Sequence, residues 1–159
     1  MKPYVFDPQN PWENCEFVLH KRDFKPHEGM TLVEKPFEAD LIQSYCRLLD
    51  EAFSFQRPPG TPEGTLAYMK DLAGQEHFIE SFRAFWQEER LVGFYWLREN
   101  EVDKLVVSPA CQGRGHGVAL LTHALAEIFK RYEEACLTCL LQNERGLMFY
   151  RKYGMTIVE

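Results

Sequence analysis

The stretch VDKLVVSPACQGRGHGVALLTHALAEIFKRY, residues 102–132, constrains the fold more than any other part of the chain. A run rich in apolar and β-branched residues gives way to Gly113, Gly115 and Gly117, and then to apolar residues at helical spacing. Val118, Leu121, Leu125, Ile128 and Tyr132 hold one face of the predicted helix, while His123, Glu127 and Lys130 hold the other. Such a helix packs on a sheet by one stripe. A strand that passes through glycines into a helix places backbone N–H groups at the positive end of the helix dipole and lets a bulky anion approach them. The turn therefore reads as a phosphate site. Spacing excludes two well-known users of this physics. A dinucleotide fingerprint, G-x-G-x-x-G, fails at Val118, and a P-loop fails because Val118 and Ala119 stand where Lys and a hydroxyl residue are required.

The rest of the chain reads as alternating strands and helices. Pro and Gly clusters at 7–11 and 58–64 mark a loose N-terminal arm and a loop. A strand is expected near 16–24 and another at MTLVEK, followed by an amphipathic helix through ADLIQSYCRLLDEAF, where Leu41, Tyr45, Leu48 and Ala52 recur. The loop SFQRPPGTPEG leads into a short helix with Thr61 as N-cap, Pro62 at its first position and Gly74 just past its end. From residue 78 to 108 an antiparallel meander is predicted: HFIESFRAFWQ, a polar turn at Glu88, Glu89 and Arg90, then LVGFYWLRE and EVDKLVVS. Its aromatics, Phe82, Phe85, Trp86, Phe94, Tyr95 and Trp96, read as core and sheet packing rather than an aromatic cage. ACLTCLLQ has the pattern of a strand buried on both faces. Asn143 then caps a helix that carries Glu144 at its start, Arg151 and Lys152 at its end and Gly154 beyond it. MTIVE supplies a last strand.

Gln112, Gly115 and Gly117 in Q-x-x-G-x-G, directly after VDKLVVSP, resemble the pyrophosphate-binding signature of the GNAT N-acetyltransferases. QNERGLMFYRKYGM resembles that family's later motif, with Asn at a helix start, then Phe-Tyr, a basic pair, and Gly before an apolar residue. The two stand in the family's order with a helix and a strand between them. The resemblance covers about residues 78–159, and 31–77 in layout only. It implies an α/β (α+β) fold: a mixed, mainly antiparallel twisted sheet, flanked by helices and splayed at the central strands. It also implies a single acetyltransferase domain over 1–159, with 1–30 as an N-terminal extension. Members commonly carry one more strand after the counterpart of MTIVE. Here the sheet edge is expected either to stay open or to be filled by CEFVLHKRDF.

The implied activity is direct attack of a primary amine on the acetyl-CoA thioester. Gln112, Gly113, Arg114, Gly115, His116, Gly117 and Val118 would hold the pyrophosphate, and the backbone of Leu105, Val106 and Val107 would bind the pantetheine arm and polarise the carbonyl. Tyr150 matches the position of the acid that protonates the leaving thiolate. The bland alternative is a tyrosine packed on the sheet. Asn143 either binds pantetheine or only caps its helix. Glu101 is the candidate base, with Asp103 two residues on pointing the same way, and both can equally be a solvated strand start. His116 and His123 are weaker candidates by position.

Composition narrows the partners. A net charge of −6 argues against sequence-independent binding to nucleic acid. The first residues lack a signal-peptide core and no long apolar run is present, so a cytoplasmic protein without a membrane span is expected. Cys15, Cys46, Cys111, Cys136 and Cys139 read as reduced thiols, and the lone CxxC as two strand cysteines, so no metal is expected. The expected partner is a small-molecule or peptide amine, with room for a homodimer. Two other classes remain: a non-catalytic coenzyme A sensor of the same fold, and an interaction protein using the aromatic meander.

Overall fold

The computed structural model describes residues 9, 13–28, 30–54 and 61–158. The N-terminal arm is outside them apart from residue 9, as are residues 55–60 of the Pro-rich loop. The strands are β1 (Asn14–His20), β2 (Val33–Lys35), β3 (Arg83–Gln87), β4 (Arg90–Arg98), β5 (Glu101–Val107), β6 (Glu134–Leu140) and β7 (Thr156–Ile157). The helices are α1 (Ile42–Phe53), α2 (Pro62–Ala73), α3 (Glu76–Ser81), α4 (His116–Phe129) and α5 (Glu144–Lys152). The strands form one sheet in the order β2-β3-β4-β5-β6-β1-β7, antiparallel at every contact except β5 with β6. This mixed sheet flanked by helices is the expected fold.

Each face of the sheet has its own core, because successive strand residues point to opposite sides. Along β4, Phe94 and Trp96 enter a cluster with Tyr45, Leu49, Met69, Phe78 and Phe82 from the α1, α2 and α3 side. Tyr95 enters the other cluster, with Leu120, Leu121, Ala124 and Leu125 of α4 and with Phe17 and Leu137. The aromatic residues of the meander are therefore packing residues, as expected: Phe82, Phe85, Phe94, Tyr95 and Trp96 are each at most 4% exposed.

Local signals place several boundaries to the residue. The Thr61 side chain accepts a hydrogen bond from Gly64 N at 3.0 Å, Pro62 opens α2, and Gly74 follows its end. Other expectations need correction. Residues 76–81 form α3 rather than a strand, because Phe78 and Phe82 lie one helical turn apart and both are fully buried, while Ile79 between them is exposed. Arg90 belongs to β4 rather than to the turn, which is Glu88-Glu89 with Glu88 at φ 56°. Tyr132 lies past the end of α4 and is exposed. β6 is buried on one face only, through Ala135, Leu137 and Cys139, while Thr138 on its other face is exposed. Among the described residues, none of β6 enters the α1–α3 cluster, so apolar composition overstated its cover.

The N-terminal segment fills the sheet. β1 pairs with β6 across seven register positions and with β7 on its other side, at Phe17↔Ile157 and Val18↔Thr156. The last strand thus joins the sheet through the first one.

A prediction tests the close approach of β4 to β5. A Cβ at Gly93 would clash with Val106 O and lie 2.8 Å from Leu120 Cδ2, the first of them backbone and the second on a fully buried side chain. Gly93→Ala should therefore destabilise the protein by about 3 kcal/mol, measured as a lowered midpoint in urea denaturation at unchanged slope.

Candidate active site

The parallel strands β5 and β6 meet at one register pair, Glu101↔Cys136, where Cys136 N donates to Asn100 O at 3.0 Å. Beyond that point they separate. Hydrogen-bonded and non-hydrogen-bonded pairs alternate in an antiparallel ladder, so one bond fixes which way each backbone group faces. Ser108 N donates to Val92 O, which turns the N–H and C=O of Val106 toward β4 and those of Leu105 and Val107 into the gap. On the opposite wall, Lys21 N donates to Glu133 O and Leu141 N to Glu13 O, so the amides of Thr138 and Leu140 face the gap too. Of the three residues Leu105 to Val107, two present their backbone there. Val106 instead pairs with Phe94 and is fully buried in the opposite core.

The gap opens toward the glycine turn. A short 3-10 turn, Pro109–Cys111, leads from β5 to Gln112, and the chain then passes Gly113 at φ 78° and Gly115 at φ 89° before α4 begins. Those left-handed conformations are open to glycine at little cost. A Cβ at Gly113 would meet nothing within 4 Å, and one at Gly115 only Met30 Cγ at 4.0 Å, so among the described residues nothing crowds either glycine. The first helical bond runs from Ala119 N to Gly115 O, leaving the amides of His116, Gly117 and Val118 without helical partners. Gly117 faces α5: a Cβ there would lie 3.4 Å from Phe149 Cζ and 3.8 Å from Val107 Cγ2. The turn is thus a cradle of amides fit for an anion, with Arg114 exposed on its rim.

The His116 ring is engaged away from the turn's free amides. The ring is buried, with Nδ1 3.1 Å from Cys111 O and Nε2 3.1 Å from the Gln87 side-chain oxygen, so it braces the turn against β3. His123 lies 2.6 Å from Tyr95 Oη and 2.9 Å from a Glu34 carboxylate oxygen, tying α4 to β4 and β2 rather than to the gap.

Glu101 stands at the apex where the strands part. Burial, and then the neighbouring Asp103, raise its carboxyl pKa above the ordinary range. Asp103 is itself engaged, accepting a hydrogen bond from Trp96 Nε1 at 2.8 Å. Asn143 caps α5, its Oδ1 accepting from Gly146 N at 3.0 Å. Gly146 is required for this, since a Cβ would lie 2.5 Å from Asn143 Nδ2. Tyr150, on the same helix, packs its ring between Phe149 at 5.3 Å and Phe17 at 5.4 Å. Burial, and then Cys139, push its phenol pKa up, so it holds its proton.

Periodicity carried no signal for the β6 wall at Thr138 and Leu140 or for the Phe17 contact, because both depend on which strands become neighbours. Cys136 and Cys139 point to opposite faces of β6, and burial pushes both thiols up to about 11. Among the described residues no group of three or more His, Cys, Asp or Glu could hold a metal ion, and no helix is long and apolar enough to cross a membrane.

Residues 79–156 match the model of the acetyltransferase (GNAT) domain. A GCN5-related N-acetyltransferase from Sphaerobacter thermophilus superposes at a TM-score of 0.67 and 19% identity, over 94% of this chain and 51% of that one. A GNAT-family acetyltransferase from Colwellia psychrerythraea gives 0.69 at 11% identity, over 94% of this chain and 55% of that one. This chain spans about half the length of these two. PaiA N-acetyltransferase from Thermoplasma acidophilum, solved in complex with coenzyme A, gives 0.59 at 18% identity, over 79% of this chain and 89% of that one. At these identities the structures establish a shared fold.

The free amides at the start of α4 yield a binding prediction. Gly117→Asp places bulk and negative charge beside the free amides, and should weaken acetyl-CoA binding by at least about a hundredfold, roughly 2.7 kcal/mol, in isothermal calorimetry. Circular dichroism should show the fold retained.

Proposed function

We propose that this chain, which carries an acetyltransferase domain of the GNAT superfamily, transfers an acetyl group from acetyl-CoA to a primary amine by direct attack on the thioester. The observation that carries the reading is the gap between β5 and β6, lined by the unpaired backbone of Leu105 and Val107 and ending at the Gly115 turn above α4. An extended pantetheine arm can add to β5 there as a strand would, with its pyrophosphate on the amides of residues 113–118. The coenzyme A complex of the Thermoplasma neighbour supports that ligand class.

In this reading acetyl-CoA supplies the activated acetyl group, and the residues of the chain manage charge and protons. A gap-facing β5 amide, from Leu105 or Val107, donates to the thioester carbonyl oxygen as negative charge gathers on it. Glu101 takes a proton from the incoming ammonium, directly or through water. Its raised pKa makes it a stronger base than an ordinary carboxylate. Tyr150 gives its proton to the departing sulfur, and its raised pKa keeps that proton in place beforehand. Asp103, held by Trp96, adds negative charge near the entering amine. The face of β6 that carries the exposed Thr138 offers an approach to the apex that does not cross the cofactor's own route.

Thiol release from acetyl-CoA, with spermidine, N-α-acetyl-lysine amide and glutamate as acceptors, tests the reading. Binding of acetyl-CoA with no thiol release for any amine would leave a coenzyme A sensor instead. Tyr150→Phe should keep cofactor affinity and lower kcat by roughly ten- to a thousandfold, about 1.4 to 4 kcal/mol of barrier. Glu101→Gln should lower kcat by about a hundredfold and remove the acidic limb of the pH profile of kcat/KM. In the wild type that limb should lie above the ordinary glutamate range, activity being lost as falling pH protonates Glu101.

A further inference from the structure

We infer that Phe17, on the N-terminal strand, is a positioning residue for the Tyr150 phenol, so that β1 is a working part of the active site as well as a filler of the sheet. The inference rests on the reading of Tyr150 as the proton donor. Phe17 lies outside the region that matches the domain model, residues 79–156.

The geometry of α5 makes an outside support necessary. That helix has no fully buried residue, and it meets the sheet through the half-buried Leu147, Phe149, Tyr150 and Tyr153. The direction of the phenol therefore depends on the rings packed around it. The ring is held between two others: Phe149, tilted at 66° on the same helix, and Phe17, tilted at 53° on β1. Phe149 moves with α5, so only Phe17 ties the phenol to the sheet from outside the helix in this pair. Phe17 is itself immobilised, fully buried, with Leu137 of β6 on one side in register and Ile157 of β7 on the other. A tilted contact between ring edge and ring face has a preferred geometry as well as an area, so it sets orientation in a way an aliphatic neighbour does not. General-acid catalysis is sensitive to such orientation, because the donor must reach the sulfur within hydrogen-bonding distance.

A double-mutant cycle tests this. kcat is measured by thiol release from acetyl-CoA, with the faster of spermidine and N-α-acetyl-lysine amide as acceptor, or water when neither reacts. Phe17→Leu should lower kcat about tenfold, with the KM for acetyl-CoA changed less than about twofold. In a Tyr150→Phe background the same substitution should cost almost nothing, since the group it positions is gone. Leu19→Ala is the control for a loosened strand: Leu19 is buried in the same face of β1, and its loss should lower thermal stability with little change in kcat. Should Phe17→Leu fail to fold, Phe17→Met takes its place, with similar volume and no ring. Equal losses of kcat from the Phe17 substitution in both backgrounds would overturn the inference and leave the Tyr150 role standing. So would a Leu19→Ala loss as large as that of Phe17→Leu. A Tyr150→Phe variant as fast as wild type would overturn both.

Discussion

Parallel pairing between β5 and β6 holds at Glu101 and Cys136 and is then given up. Abandoning a ladder leaves backbone donors and acceptors on both walls, and such groups away from water are costly unless something else satisfies them. That cost is what makes the gap a candidate site. Leu105 and Val107 on one side and Thr138 and Leu140 on the other cannot satisfy each other once the strands diverge, so a ligand with amides of its own is the natural complement. The glycine turn and the N-terminus of α4 lie at the mouth of the gap because β5 runs straight into them. The carboxylate of Glu101 lies at the apex because it opens the same strand. The proposed anion, amide and base positions therefore follow from one seven-residue strand and its sparing use of one neighbour.

Much of this was legible in the sequence because it is local. Thr61, Pro62 and Gly74 bound α2, and Asn143 opens α5, since capping depends on residues within one turn. The turn at Gly113 to Gly117 was legible for the same reason: a positive φ in a strand-to-helix connection is a requirement that glycine meets. What failed to show was long-range. By sequence α3 reads as a strand because Phe78 to Phe85 offers aromatic residues at both spacings, and only burial of Phe78 and Phe82 together decides for the helix. β6 looked doubly buried because composition registers apolar side chains, not whether a layer covers them. The rings of His116 and His123 depend on Gln87, Tyr95 and Glu34, none of which a helical periodicity can reveal.

The two faces of the sheet divide the work. The α1–α3 face carries the densest aromatic packing, with Tyr45, Phe78, Phe82, Phe94 and Trp96 in ring contact, and it anchors β4. The α4–α5 face carries the turn, the phenol and the rings that hold it. Asp103 connects them, set on β5 but bonded to Trp96 of the aromatic core, so a carboxylate near the apex inherits the rigidity of the opposite layer.

Setting the first strand between the sixth and the seventh has a consequence for how the chain acquires its shape. The bond from Glu13 to the Gln142 side chain joins residues 129 apart, and the whole β1–β6 ladder is of similar span. Ladders that close such long loops form late, because the entropy of closure is lost before their contacts can repay it. β7 has no seat until β1 is in place. On a ribosome, β1 would emerge before β6 and β7, the strands it pairs with, yet dock near the end, and the phenol beside it would gain its ring partner only then.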